Sequence, residues 1–149
     1  QMITDLTAEQ RQRVEKMKKM TPEQWESLCK GCGICCLSKI ELEIEPGAAK
    51  TFYTHACCNW LDVKTKRCKI YKCRLKDKNN MCEKVDLDLI LNRNLLPRTC
   101  GYVEYIYGPA PRKITVDWNN VKPEKDVDFK NMFSVFWHTI LNSDTWNTR

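Results

Sequence analysis

Apolar and polar residues alternate strictly after the first cysteines, with Ile40, Leu42 and Ile44 separated by charged positions. This period of two predicts a β-strand with one buried face. The dipeptide Pro46-Gly47 predicts a turn. The segment 51–54 is rich in aromatic and β-branched residues, so it predicts the returning strand of a β-hairpin that ends at the next cysteines.

Two helix starts precede this hairpin. The segment Thr7–Gln10 has the residues of a capping box, which predicts a helix to about Met20. Thr21-Pro22 repeats the start signal and predicts a short helix that carries Trp25 and Leu28. We expect these two apolar side chains to cover the cysteine segment that follows.

The second half of the chain has weaker patterns. Asp86 followed by leucine and isoleucine predicts a short helix over residues 86–91. The tyrosine-rich segment 102–107 has a spacing between two and three, which leaves the type of element open. The Gly- and Pro-containing segment 108–111 ends that element.

Residues 126–142 carry apolar residues at spacings of three and four, which predicts a helix with one broad aromatic face. This face either covers the rest of the domain or binds a protein partner in a larger assembly. Its residues are Phe129, Met132, Phe133, Phe136, Trp137 and Ile140. The second interpretation gives the hypothesis of an accessory subunit of a mitochondrial or ribonucleoprotein complex.

The composition indicates that apolar burial alone does not stabilise the fold. The chain has 149 residues, of which ten are cysteines and only 9% are aromatic, so one domain with a small core is expected. Metal sites or disulfides would supply the missing stability. An even number of cysteines with two adjacent pairs is compatible with a secreted disulfide scaffold, but we favour a reducing compartment, either a mitochondrial matrix or a bacterial cytoplasm. A targeting peptide removed before Gln1 stays an open alternative.

The formal net charge is +6, with basic clusters over residues 11–19, 64–78 and 112–113. Excess positive charge favours anionic partners, including RNA. The alternative is a solvated surface of mixed charge. No apolar run is long enough to predict a membrane span.

The densest chemical signal is the segment Trp25–Cys36, WESLCKGCGICC. It places four cysteines in eight positions: Cys29, Cys32, Cys35 and Cys36. Two thiolates separated by two residues can bind one cation, and the glycines between them make the necessary turns accessible. The sequence therefore predicts a metal site here.

With the later cysteines, the segment resembles the bacterial cysteine-cluster proteins of the YcgN and YkgJ type, a family described as chelating zinc or iron. The likeness runs from Trp25 to about Tyr102. Its matching pieces are WESLCKGCGICC, YTHAC from Tyr53, LDVKTKRCKIY from Leu61, Cys82, and LPRTCGY from Leu95.

The resemblance implies eight metal ligands, which make two sets of four. They are Cys29, Cys32, Cys35, Cys36, Cys57, Cys68, Cys82 and Cys100. Because adjacent side chains point in different directions, we expect Cys35 and Cys36 to serve different ions or one shared cluster. Cys58, Cys73 and His55 lie outside the pattern and are candidate extra ligands.

Four thiolates suit both zinc and iron–sulfur clusters; we favour zinc, with about two ions, by a narrow margin. The chain lacks the HExxH, GxSxG and phosphate-loop motifs, which favours a non-enzymatic structural and interaction module. An iron–sulfur redox or electron-transfer protein is the alternative.

The predicted fold is small, α+β, metal-stabilised and loop-rich, with a β-hairpin and short helices around the cysteine cluster. Three regions are expected: a helical extension over residues 1–24, the cysteine-cluster domain over 25–107, and a C-terminal extension over 108–149.

Overall fold

The computed structural model describes residues 5–76, 82–93 and 95–127. These residues form a small α+β fold with four α-helices and two small sheets, which confirms the predicted α+β class; metal stabilisation stays a prediction. The helices are α1 (Ala8–Lys18), α2 (Pro22–Glu26), α3 (Leu87–Asn92) and α4 (Gly101–Tyr107). The strands are β1 (Leu37–Glu45), β2 (Ala48–Cys57), β3 (Leu61–Asp62), β4 (Arg67–Cys68) and β5 (Lys122–Pro123).

Local side-chain caps set the starts of the first three helices, as the sequence predicts. At α1, Thr7 Oγ1 accepts the backbone N–H of Gln10 at 3.1 Å, and Gln10 Oε1 accepts that of Thr7 at 3.0 Å. Thr21 and Gln24 make the same reciprocal pair at α2. The Asp86 carboxylate caps α3. These bonds satisfy backbone N–H groups that have no partner within the helix.

The predicted hairpin is present, and it is longer than the sequence pattern indicates. Strands β1 and β2 pair antiparallel, with Ile40 opposite Phe52. They are joined at Pro46-Gly47, where Gly47 has a φ of +80°. Since β1 starts directly after Cys36 and β2 ends at Cys57, both ends of the hairpin lie at the cysteines.

The element over residues 102–107, whose type the sequence left open, is helix α4. Tyr102, Val103 and Ile106 are its buried residues. The buried Arg98 side chain donates hydrogen bonds to backbone carbonyls at the end of this helix, namely those of Tyr107, Gly108 and Pro109. A guanidinium at this end also complements the helix dipole.

The buried apolar residues form two cores. The helical core consists of Leu6, Val14, Met17, Leu89, Ile90, Leu91, Leu96, Tyr102, Val103 and Ile106. The sheet core consists of Ile34, Leu37, Tyr53, Cys57, Leu61 and Val121. The hydroxyl of Tyr53 in the sheet core donates to the carbonyl of Leu95, which packs against the helical core, at 2.5 Å. This hydrogen bond links the two cores.

Both predicted extensions contribute to these cores as far as they are described. Helix α1 supplies Val14 and Met17 to the helical core, and the Arg13 guanidinium donates to the carbonyl of Ile106 in α4. Strand β5 adds to β2 in parallel, with Ala56 opposite Lys122.

The predicted C-terminal helix falls mostly outside the described residues, and its six aromatic and apolar positions lie there. Within the described part, Glu124–Asp126 form a 3-10 turn and Val127 is extended, so this part of the predicted 126–142 helix is not α-helical. None of the helices over the described ranges has the length and apolar character needed to span a membrane.

Candidate metal centre

The first cysteines lie in a loop between α2 and the hairpin. The backbone N–H of Cys29 donates to the carbonyl of Glu26 at 3.2 Å, and the backbone N–H of Gly31 donates to Cys29 Sγ at 3.4 Å. Gly33, with a φ of +74°, then turns the chain into a 3-10 turn over Ile34–Cys36.

Cys35 and Cys36 lie at the end of this turn, and a hydrogen bond between their side chains shifts their pKa values in opposite directions. The Cys36 thiol donates a hydrogen bond to the Cys35 sulfur, which lowers the pKa of Cys35 to about 6 with further help from the nearby Lys39 and Arg74 cations. The same hydrogen bond, together with burial, raises the pKa of Cys36. This hydrogen bond thus favours the thiolate on Cys35 and the neutral thiol on Cys36.

The other thiols reach this pair from separate parts of the chain. Cys58 and Cys68 add to the raised pKa of Cys36. Burial raises the pKa of Cys100 to about 12, and the Cys35 thiolate adds to that rise. Burial and nearby thiolates likewise raise the pKa of Cys32 and Cys82.

Effects on one another's pKa thus link eight cysteines around the Ile34–Cys36 turn, seven of them from the set that the resemblance implied, and Cys57, the remaining member of that set, is linked to Cys58. The eight are Cys29, Cys32, Cys35, Cys36, Cys58, Cys68, Cys82 and Cys100. Cys58 is the addition that sequence reasoning treated as an extra ligand. Its backbone N–H donates to the carbonyl of Cys36 at 2.9 Å, which fixes the end of β2 beside the turn.

Of the remaining candidates, Cys57 lies next to the cluster. Its side chain is fully buried in the sheet core, against which Cys32 and Cys36 pack, and burial raises its pKa to about 11, with smaller effects from Cys58 and Glu124. Cys73 is exposed on the 3-10 turn Tyr71–Cys73. His55 is half-buried within β2.

The donor chemistry fits a thiophilic metal. All ten cysteines are described and all are free thiols, so the disulfide-scaffold alternative finds no support. Thiols that raise one another's pKa are held in their neutral form by mutual repulsion, and a bound cation removes that penalty. Across the described ranges, however, no three His, Cys, Asp or Glu side chains form a group that could hold a metal ion. The described thiols therefore influence one another, but no three of them surround a common position that a metal ion could occupy.

Aromatic packing lies next to the cluster. The Trp25 ring contacts the Tyr102 ring, with their centroids 5.4 Å apart, and Trp25 and Leu28 both pack against the helical core. Tyr102 lies near the thiols of Cys29 and Cys100, which add to a pKa raised mainly by burial. Trp25 and Leu28 thus extend the helical core, and their cover over the cysteine segment stays a prediction.

Several bacterial proteins are similar to this chain. A UPF0260 protein of Vibrio vulnificus is 43% identical over 86 residues, which cover 58% of this chain and 57% of that protein. One from Aliivibrio fischeri is 40% identical over 88 residues, covering 59% and 58%. One from Marinobacter nauticus is 36% identical over 122 residues, covering 81% of this chain and 74% of the relative. The chain belongs to the UPF0260 family.

The names of these UPF0260 relatives state no activity, ligand or partner. The chain spans a little over half the length of the Vibrio and Aliivibrio proteins. No family model matches it, and no solved structure does. Because these relatives are bacterial, they give no support to the mitochondrial alternative; the partner and RNA predictions stay predictions.

The structure also places Lys39 beside the cysteine cluster, a position that sequence reasoning did not predict. Lys39 Nζ donates to the carbonyls of Cys35 at 2.8 Å and Leu37 at 3.0 Å and lies 5.2 Å from the centroid of the Tyr53 ring. In the sequence, Lys39 is one of the polar positions of an alternating strand, which indicates only a solvated face. Its position beside Cys35 offsets part of the negative charge that gathered thiolates carry.

Proposed function

We propose that this UPF0260 chain is a metal-binding cysteine-cluster protein that acts as a structural and interaction module. The observation that supports the proposal is that cysteines from separate segments raise one another's pKa around the Ile34–Cys36 turn. A zinc ion bound by four thiolates has no open position for substrate. The role of the chain is then to bring distant segments together around the ion.

We propose two interleaved sites. Cys58 and Cys68 raise the pKa of Cys36, and Cys35 raises the pKa of Cys82 and Cys100. Cys68 also raises the pKa of Cys82, so the two proposed sites lie against each other. We therefore propose about two zinc ions per chain, with Cys29 and Cys32 completing the ligand set.

An iron–sulfur electron-transfer protein is the second candidate. Cys29 and Cys35 are exposed, and a redox cluster near the surface can exchange electrons with a partner. In either case free thiols need a reducing compartment, which we propose to be the bacterial cytoplasm. The accessory-subunit role depends on residues 126–142 and stays a prediction.

Metal analysis separates these candidates. The chain is purified without oxygen under reducing conditions, and its zinc, iron and acid-labile sulfide are measured together with the visible spectrum. We expect about two zinc ions per chain and a colourless sample. Iron with sulfide and visible absorbance would establish the second candidate, and a folded chain that binds neither metal would end both.

Substitution of one central thiol is expected to remove metal. Cys36→Ser should lower the zinc content by about one ion per chain, because a hydroxyl is a poor ligand for zinc. Cys73→Ser is the matched control, since Cys73 is exposed on a separate turn and lies outside the set of eight gathered thiols; its zinc content should equal that of the wild type. Equal zinc in both variants would exclude Cys36 as a ligand.

A further inference from the structure

The positive charge of the whole chain is concentrated in one short segment. Residues 61–76 contain seven basic residues and one acidic residue, a net charge of +6, which equals the net charge of all 149 residues. The other residues together are neutral. The single carboxylate of this segment, Asp62, accepts the backbone N–H groups of Lys64 and Thr65 and so stabilises its own turn.

The exposed apolar side chains lie on the same segment. Within the described part of the chain, the large hydrophobic residues that are exposed are Trp60 at 43%, Tyr71 at 44% and Leu75 at 49%. The backbone N–H of Lys69 donates to the carbonyl of Trp60 at 2.8 Å, so an aromatic residue and a basic residue lie side by side across the β3–β4 hairpin.

Four ion pairs of the described residues lie outside residues 60–76, and they involve Glu9, Glu15, Glu104 and Glu83. Helix α1, which is also basic, pairs two of its cations with its own glutamates. Within the 60–76 segment, the Arg74 guanidinium lies over the Tyr71 ring at 4.1 Å, and the Tyr71 hydroxyl donates to the Glu26 carboxylate.

We infer that the exposed face of residues 60–76 binds single-stranded nucleic acid. Basic side chains attract the phosphates, and a base can stack on the exposed Trp60 ring. An acidic protein segment would match the charge but would leave the Trp60 ring without a stacking partner. A duplex is a poorer match, because β3 and β4 have only two residues each and offer neither the helix nor the long ribbon that enters a groove.

The test uses the full chain in its purified metal state and a fluorescently labelled single-stranded RNA of mixed sequence, with binding followed by anisotropy. The double variant Lys69→Ala/Lys72→Ala is expected to bind at least about tenfold more weakly. The double variant Lys16→Ala/Lys19→Ala removes the same charge from α1 and its C-cap and should change affinity by less than about twofold. Equal weakening by both variants would overturn the inference.

The aromatic contribution is tested separately. Trp60→Leu should weaken binding at least about fivefold while the salt dependence stays unchanged, because stacking releases no counterions. Trp60→Tyr keeps a ring and should stay close to the wild type. The lysine variant should instead reduce the slope of log affinity against log salt by about 0.7 for each phosphate that its side chains no longer bind.

Three results would contradict the inference: no saturable RNA binding, equal affinity of Trp60→Leu and wild type, or more effective competition by polyglutamate or duplex than by single strands. Melting curves and zinc content of each variant confirm that the fold is retained. Zinc binding with no RNA binding would refute this inference and leave the proposed function in place.

Discussion

Removal of the metal is expected to unfold the sheet half of the chain and to leave part of the helical core. The sheet core has only six buried residues, and β3, β4 and β5 have two residues each. Elements this short are not stable without further cross-links. A structural zinc ion contributes about 10 kcal/mol or more, comparable to the total stability of an ordinary domain, about 5–15 kcal/mol.

Hydrogen exchange with a chelator and a reductant present measures this effect. The backbone N–H groups of Cys58 and Lys69, which are hydrogen-bonded on the sheet side, should lose their protection first. Those of Arg11 in α1 and Glu104 in α4 should lose it later. Restored protection after zinc is added back is the control. If the metal-free chain keeps the same exchange rates and melting temperature, the proposed structural role is wrong.

The elements that the sequence predicted correctly are those with local causes. The caps of α1 and α3 join residues three apart, and the β1–β2 hairpin follows from alternation around one turn. Such signals lie within a few residues of chain, so they need no knowledge of tertiary contacts.

Helix α4 and strand β5 are elements that local sequence signals do not predict. Cys100 makes no side-chain cap for α4, and the tyrosines of this helix favour strands. Burial of Tyr102, Val103 and Ile106, at the spacing of one helix face, decides the outcome. Strand β5 forms only because residues far along the chain return to β2, and no pattern in two residues predicts that pairing.

For the candidate site, the sequence predicted which residues have metal-binding chemistry but not how they group. The adjacent positions of Cys35 and Cys36 predict different directions for their side chains, but in the structure the two are joined by a side-chain hydrogen bond. Their other partners depend on the path of the chain between distant cysteines. The same holds for Cys57 and Cys58: the resemblance implied the first, and the structure places the second beside Cys36. Cys57 and Cys58 are the same residue type, and they differ only in the face on which each side chain lies at the end of the strand.

The substitution Gly33→Ala is expected to destabilise the chain strongly and to lower its zinc content. Gly33 has a φ of +74°, where a side chain costs about 1–2 kcal/mol. A Cβ atom there would lie 3.0 Å from both Cβ and the carbonyl oxygen of Lys66, and 3.2 Å from the Trp118 ring. Relief of this contact moves the turn that leads into Cys68, at a further cost of about 1–3 kcal/mol. Urea unfolding and metal analysis measure both effects.

Gly31→Ala separates backbone strain from this close approach. Gly31 has a similar φ of +67°, but no atom lies within 4 Å of the position its Cβ would occupy. This variant should therefore lose only about 1–2 kcal/mol and keep its zinc. Comparable losses of stability and metal in the two variants would show that the contact between Gly33 and Lys66 does not position Cys68. A larger loss of stability and zinc for Gly33→Ala would mean that Gly33 allows the cysteine loop to pack against the β3–β4 turn. This packing brings thiols from distant segments of the chain close to one another.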